Sequence, residues 1–378
     1  MHYLGSGELG RGRVPTVMKY AAGRHIPLLK TPGAAAAIAA ALLFGASTPL
    51  AKLLLGEGLS PQLLAGLFYL GSGLGLSALL LLRRLMGSGV GAEAALHRSD
   101  VPQLSVAVLL GGAVAPVLLM AGLARTTAAS ASLLLNLEGL VTMAIAWLVL
   151  RENVDRRLLT GAFAILAGAV LLSWSGGSIR PDSGALLVAG ACAAWGVDNN
   201  VTRSLARVDP MQIAAVKGLV AGSANLALAL FMHATVPAAP AIAAAAVTGF
   251  LSYGVSLVLF VLGLRNLGTA RTAAYFSTAP FIGAVLAVAL FAEPVTGRLI
   301  AAGVLMGVGL YLHLREQHVH GHSHEAMEHE HRHAHDEHHQ HSHSSSDPSG
   351  EPHSHPHRHE PLTHSHPHFP DLHHRHGH

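Results

Sequence analysis

Long apolar stretches, separated by short polar turns, fill the chain as far as residue 315. A transmembrane helix needs about 20 predominantly apolar residues to cross the hydrocarbon of a bilayer. The pattern therefore predicts about ten transmembrane helices, with turns such as GEGLSPQ, RENVDRR and RNLGTAR between them. The predicted helices are Ala34–Leu55, Gln62–Leu82, Leu104–Leu123, Ala128–Leu150, Leu158–Trp174, Gly184–Val201, Met211–Met232, Ala241–Leu264, Ala273–Ala292 and Leu299–Leu314.

The composition agrees with a membrane protein. Hydrophobic residues occupy 51% of the 378 positions and charged residues only 12%, whereas a soluble domain carries about 25% charged residues. Cys192 is the single cysteine, which excludes an internal disulfide. The sequence contains no P-loop, dinucleotide-binding fingerprint, nucleophile elbow or cysteine cluster. We therefore expect neither an ATP-driven pump nor an enzyme, and no required cofactor.

Lysine and arginine are distributed unequally between the two predicted sides. With the N-terminus inside, and the tail left out, sixteen of them fall in inner segments and three in outer loops. Basic residues favour the cytoplasmic side, so we expect a multi-pass protein of the cell inner (plasma) membrane with both termini in the cytoplasm. The first 33 residues are too long and too mixed for the charged region of a signal peptide, so no cleavage is expected. Met18 is an alternative start to Met1.

The two halves of the apolar region resemble each other. LLFGASTPLAKLL matches CAAWGVDNNVTRSL at a shift of 151 residues, which places Lys52 on Arg203. Two later segments match at a shift of 141 and place Glu152 on Glu293. Because each copy has five helices, the second must cross the membrane in the opposite sense, as in many secondary transporters. The sequence predicts an all-α integral membrane protein of two inverted five-helix repeats, followed by a disordered C-terminal tail.

These features together resemble one transporter family. Two sets of five helices, Phe-Gly and Trp-Gly pairs at 44–45 and 195–196, and a glutamate closing the fourth and ninth helices are similar to the EamA-like, ten-helix branch of the drug/metabolite transporter superfamily. One departure is Gly139, which stands where the second half has Pro280. The resemblance implies alternating access and a central cavity, and names no substrate. The predicted division is a cytoplasmic N-terminal segment 1–33, EamA-like repeats 34–174 and 184–315, and a disordered, His-rich cytoplasmic tail 316–378.

Ionisable residues inside the predicted helices are the first candidates for a transport site, since each costs about 2.5–3.5 kcal/mol to insert. Glu138 lies at the middle of the fourth helix with Asn136 close by, and Asp198 lies in the sixth beside Asn199 and Asn200. We interpret Glu138, Asn136, Asp198 and Asn199 as candidates for binding a proton, a cation or a cationic group of the solute. The alternative is an internal ion pair or a hydrogen bond between helices.

Four further charged residues lie nearer the helix ends. Lys52 and Lys217 have long side chains that can reach water from such positions, so we expect this role rather than solute binding. Glu152 and Glu293 close their helices at the membrane interface. They match the family pattern, and we expect them to be structural.

A line of uncharged polar residues runs along the eighth and ninth predicted helices. Its hydroxyl groups suit hydrogen bonding to a solute in a cavity, and equally suit hydrogen bonding between helices in lipid. Tyr253 and Tyr275 are its candidate site residues. The line consists of Ser252, Tyr253, Ser256, Tyr275, Ser277 and Thr278.

The tail is the strongest local signal. Twenty-three of the 28 histidines lie from His318 onward, most of them in an H-x-H rhythm. Neutral imidazole is a favoured ligand for Zn, Ni, Cu and Co, and an ordinary pKa near 6.5 leaves it mostly neutral at cytoplasmic pH. The tail has no apolar periodicity, so no packed core is expected. The candidate ligands for Zn, Ni or Co are His318, His320, His322, His324, His329, His331, His333, His335, His353, His355, His357, His364, His366 and His368.

Three functions are compatible with this sequence. The leading hypothesis is a secondary transporter, in the export direction, of a small solute, with the tail as a metal-binding regulator or buffer. The second is a carrier of divalent transition metals whose tail collects the ion, although no predicted helix holds a cluster of His, Asp or Cys. The third is a membrane-bound metal sensor. The expected partners are the lipid bilayer and a small molecule or metal ion, not nucleic acid; a homodimer is left open.

Overall fold

The computed structural model describes residues 32–86, 96–152, 154–174, 182–205 and 208–314, and four short strands in the tail. Ten helices run through the main ranges, each where the sequence predicts a transmembrane helix. They are α1 Pro32–Gly56, α2 Pro61–Leu85, α3 Arg98–Leu123, α4 Ala128–Leu134 and Asn136–Leu148, α5 Arg156–Ser173, α6 Ser183–Arg203, α7 Pro210–Phe231, α8 Ala239–Leu267, α9 Thr269–Phe276 and Ala279–Phe291, and α10 Gly297–Leu314. Nearly all of the predicted segment 1–33 lies outside the described residues.

Nine of the helices in the described ranges are long and apolar enough to cross a membrane. The other, α6, has 21 residues, which at about 1.5 Å per residue is enough to span the hydrocarbon. Its last turns carry Asp198, Asn199 and Asn200, which lower its hydropathy. Because α6 packs on α3 and α4, Asp198 is buried within the protein, whereas Asn199 is exposed and Asn200 is partly exposed. The described ranges between residues 32 and 314 form a multi-pass, all-α membrane domain, as predicted.

The bundle has two ends, which we name after the glutamates that follow α4 and α9. The Glu152 end also holds Arg203, which forms an ion pair with Glu152. The Glu293 end also holds Lys52, whose ammonium group lies on the turn between α3 and α4. The repeat shifts relate the two sets of residues to each other.

Four helices depart from regular α geometry, and the departures follow the repeat. Helix α3 contains a π-helical segment, Val108–Val114, and α8 contains another, Phe250–Val255. Helix α4 is interrupted at Leu135 and α9 at 277–278, each by a turn with i to i+3 hydrogen bonds. Both related helices are therefore broken, although only the second half has the proline, Pro280.

Small residues let neighbouring helices approach closely. The most extensive contact joins α2 and α7. A Cβ atom on Gly222 would lie 2.4 Å from the Leu70 nitrogen, and one on Gly218 would lie 2.6 Å from the Gly73 nitrogen. Lipid gives helices no hydrophobic reason to associate, so contact between backbones at small residues holds such pairs together.

The tail contains four strands that the sequence pattern does not predict: β1 His318–His324, β2 Met327–His333, β3 His353–His359 and β4 Leu362–His368. β1 pairs with β4 and β2 with β3, both antiparallel, and the register sets histidine opposite histidine three times in each pair. An isolated two-stranded pair is marginally stable in water, which agrees with a tail that lacks apolar alternation. His335 lies outside the described residues.

The packing of α2 on α7 gives a stability test. We expect Gly222→Val to lower the free energy of unfolding by about 1–3 kcal/mol or more, because its side chain would overlap the α2 backbone. Thermal unfolding in detergent measures this. Gly139→Ala is the matched control, since a Cβ at Gly139 meets no atom within 4 Å. Equal stability of the two variants would contradict the role assigned to this contact.

Candidate solute site between the two repeats

The π segment of α3 exposes a backbone carbonyl at the centre of the bundle. Pro116 follows Gly111 by five residues and has no N–H, so the Gly111 carbonyl lacks the donor that π-helical spacing would supply. Two side chains replace it: the Tyr69 hydroxyl donates at 2.7 Å and the Trp195 indole N–H donates at 2.9 Å. Asn225 donates similarly to the Ala113 carbonyl at 3.1 Å. The irregular segment of α3 is thus tied to α2, α6 and α7.

A buried ion pair packs directly on this segment. Lys217 Nζ donates to Asp198 Oδ2 at 2.6 Å, and Thr202 Oγ1 donates to Asp198 Oδ1 at 2.9 Å. Asp198 is only 4% exposed. A Cβ on Gly111 would lie 1.9 Å from Asp198 Oδ2, so only glycine leaves room for the carboxylate. Lys217 therefore forms an ion pair inside the bundle and does not reach water as expected. For Asp198 the structure agrees with the alternative interpretation, an internal ion pair.

Glu138 lies in the first turn of the second segment of α4. Asn199 Nδ2 donates to its Oε1 at 2.9 Å and to Thr142 Oγ1 at 3.2 Å. The Glu138 side chain is partly exposed and Asn199 is exposed. Among the described residues, no basic side chain lies within ion-pair distance of the Glu138 carboxylate. Glu138 is therefore the acid of this region whose carboxyl group is not held in an ion pair.

An aromatic cluster adjoins the polar residues. We use this name for Phe44, Phe68, Tyr69, Tyr253 and Phe276. Tyr253 lies at its centre, with ring centroids 5.5 Å from Tyr69, 5.8 Å from Phe68 and 6.0 Å from Phe44. Phe276 extends the cluster to α9, 5.2 Å from Phe44. Tyr69 links both parts of the site, since its ring contacts Tyr253 and its hydroxyl bonds the Gly111 carbonyl.

In the described ranges, two other residues predicted for the site neither bond to Glu138 nor join the aromatic cluster. Asn136 donates to the Leu133 carbonyl at 2.8 Å and approaches Met306 on α10. It is two residues from Glu138, and such residues point to well-separated sides of a helix. Tyr275 is partly exposed on α9, and its neighbour Phe276 makes the aromatic contact instead. Glu138, Asp198, Asn199 and Tyr253 do lie around one region.

Sequence reasoning missed Tyr69 and the Gly111 carbonyl, and it gave Lys217 the wrong surroundings. The glycine pair at 111–112 before a proline was the available signal for an irregular helix. Nothing in the sequence shows which side chain satisfies the freed carbonyl.

The fold and this geometry can be set beside known proteins. The pattern of the EamA-like transporter family matches residues 31–174 and 182–315, which are the two five-helix repeats. The chain belongs to the EamA-like transporter family. This confirms the resemblance seen in the sequence and the inverted-repeat architecture.

Two relatives add detail. An uncharacterized transporter of Methanothermobacter thermautotrophicus strain Delta H is 30% identical over 228 residues, which are 58% of this chain and 66% of that protein. The match thus spans just under two thirds of the relative. A solved crystal structure shares the fold, with a TM-score of 0.55 and 22% identity, over 74% of this chain and 95% of that chain.

The buried ion pair yields a second stability test. We expect Lys217→Gln to destabilise the protein by about 3–5 kcal/mol, because it leaves the Asp198 carboxylate buried without its partner. The double variant Asp198→Asn, Lys217→Gln should recover most of that loss, since it buries no charge. Thermal unfolding of both in detergent decides. A double variant as unstable as the single one would show that the pair is not what Lys217 contributes.

Proposed function

We propose that this family member is a secondary transporter that exports a small organic solute by alternating access, with Glu138 as the exchangeable site. The observation that carries the proposal is the environment of Glu138: a carboxylate with an amide donor, next to an aromatic cluster, where the two repeats meet. Inverted-repeat transporters place their substrate site at that position. An acid held there binds a proton or a cationic group in turn, which suits exchange of solute against protons.

Asp198 is the weaker candidate for that role. Lys217 and Thr202 already satisfy both of its oxygens, and the Gly111 backbone closes the space beside it. A proton or cation would have to displace Lys217. We therefore assign Asp198 and Lys217 to holding the site and Glu138 to the exchange.

The proposed orientation puts the Glu152 end in the cytoplasm, together with both termini, in the cell's inner membrane. The support is the distribution of lysine and arginine: sixteen fall in the predicted inner segments and three in the outer loops, with the tail left out. Basic residues favour the cytoplasmic side of a membrane. The tail then lies where the H-x-H segments meet cytoplasmic metal ions.

For the tail we propose metal binding that buffers or regulates. The strand register favours this, because in both pairs it sets histidines opposite one another. Zn, Ni or Co is the class of ion that such imidazole groups ligate.

A metal substrate is the second candidate, and the tail is the feature that favours it. Against it, the helices of the described ranges hold no group of three or more His, Cys, Asp or Glu residues able to hold a metal ion. A sensor without transport would show binding and no flux. The organic solute therefore remains our proposal, with the tail acting on it.

The transport proposal is tested with reconstituted full-length protein. We expect uptake of at least one member of a panel of radiolabelled amino acids, nucleosides and organic cations into proteoliposomes, driven by a pH gradient. Glu138→Gln should reduce that uptake at least about tenfold, because the amide neither takes up nor releases a proton.

Asn136→Ala is the matched control, since Asn136 lies on the same helix and faces α10; its flux should stay near that of the wild type. Normal flux in Glu138→Gln with normal folding would remove Glu138 from the mechanism. Flux of Zn²⁺ and of no organic compound would favour the second candidate.

The tail is tested by removing everything after Arg315. We expect several bound metal ions per chain to fall to one or none, while the ten helices stay folded. Binding to the intact protein should also weaken as the pH falls from 7 to 5.5, because protons compete with metal ions for imidazole nitrogens, and an unperturbed histidine has a pKa of about 6.5. Calorimetry with Zn²⁺, Ni²⁺ and Co²⁺ measures both effects. Full-length protein without measurable affinity at pH 7.5 would end the metal proposal.

A further inference from the structure

The Glu293 end is held by a carboxylate on one helix terminus and an ammonium group on another. Glu293 accepts from the backbone N–H groups of Ala128 at 2.8 Å and Ala129 at 3.0 Å, the first residues of α4. Lys52 donates to the carbonyls of Leu123 at 2.5 Å and Thr126 at 2.9 Å, where α3 ends. Each charge has the sign that its helix terminus favours. The turn between α3 and α4 is thus fixed to α1 and α9.

The same end is closely packed. The first segment of α4 lies against the second segment of α9. A Cβ on Gly283 of α9 would lie 2.7 Å from the Gly45 carbonyl of α1 and 2.8 Å from Ser132 Oγ of α4. α1, α4 and α9 therefore pack directly on one another around Gly283, while a cleft of about 300 Å³ lies beside Glu293 on the side of α5 and α10.

The repeat-related residues at the Glu152 end have different contacts. Glu152 forms an ion pair with Arg203 of α6. The second segment of α4 packs mainly on α6, and the first segment of α9 packs on α1 and α8. These two segments make no contact, among described residues, comparable to that at the other end, and Gly139 and Thr278 are exposed. α4 and α9 are therefore packed together toward the Glu293 end and parted toward the Glu152 end.

Both glutamates are presented by the same unusual turn. Arg151, just before Glu152, has a φ of 58°, and Ala292, just before Glu293, has a φ of 48°. Left-handed backbone is uncommon for residues other than glycine and persists where surrounding contacts enforce it. The two carboxylates are therefore equivalent in backbone presentation and differ in what they bind.

We propose that Glu293 and Glu152 are reciprocal clamps, each closing its own end of the transporter in one of the two access states. In the present state Glu293 clamps the start of α4. In the opposite state the shift of 141 residues assigns to Glu152 the N–H groups of Thr269 and Ala270, at the start of α9, and Glu293 releases α4. This inference rests on the proposed alternating access and adds the residues that set its two states.

Distances between spin labels at both ends of the full-length protein, in nanodiscs, test this without a solute. One label pair replaces Leu148 and Arg271 at the Glu152 end, and another replaces Arg125 and Leu290 at the Glu293 end. All four side chains are exposed, and Cys192→Ala removes the native thiol. We expect Glu293→Gln to raise the ratio of molecules open at the Glu293 end to molecules closed there about tenfold, because charge-assisted hydrogen bonds to two amides are lost.

The reciprocal result distinguishes a clamp from a merely structural contact. Glu293→Gln should also shorten the distances at the Glu152 end, whereas Glu152→Gln should leave the present state dominant at both. Glu57→Gln is the control, an exposed carboxylate at the Glu293 end, and should match the wild type. Unchanged distances in Glu293→Gln, or broadening at both ends with a lower melting temperature, would overturn the proposal. Either failure would leave the flux test of Glu138 standing, since that test does not involve Glu293.

Discussion

The hydrocarbon of a bilayer offers no partner to a free peptide group, so each irregular turn of a spanning helix must be satisfied from within the protein. The candidate site lies where that demand is greatest. Helix α3 loses regular geometry around Gly111, and Pro116 withholds a donor. Tyr69 and Trp195 supply the missing hydrogen bonds. The groups that satisfy this segment are thus the ones that gather helices from both repeats around the site.

Buried charges must likewise be satisfied from within the protein. Asp198 and Lys217 neutralise each other beside the bare Gly111 backbone, and a buried pair of this kind adds little net stability while its rupture is costly. Its contribution is to fix α6 against α7. Glu138, one turn from the break in α4, is bonded to the Asn199 amide. The ion pair thus immobilises Asp198, whereas Glu138 has no ion-pair partner among the described residues.

Much of the fold was predictable, since apolar length alone locates the ten helices and the matched segments fix the repeat. The partners of particular side chains were not, because they depend on angles between helices that no periodicity encodes. Asn136 is only two residues from Glu138 but lies on a different side of the helix. Lys217 pairs with Asp198 on another helix and not with water. The strand pairing of the tail, which sets histidine opposite histidine, could not be predicted either, because the tail lacks the apolar alternation that would indicate strands.

The two repeats match in several sequence segments, whereas the related glutamates make different contacts at the two ends of the bundle. Ala128, bonded to Glu293, and Glu138, at the candidate site, lie ten residues apart on α4, about 15 Å along its axis. The turn at Leu135 lies between them. Under the proposed mechanism, a contact made or released at the end of the bundle would reach Glu138 through one broken helix. In the second repeat the same path would run from Thr269 through the turn at 277–278, so one construction would serve both proposed states.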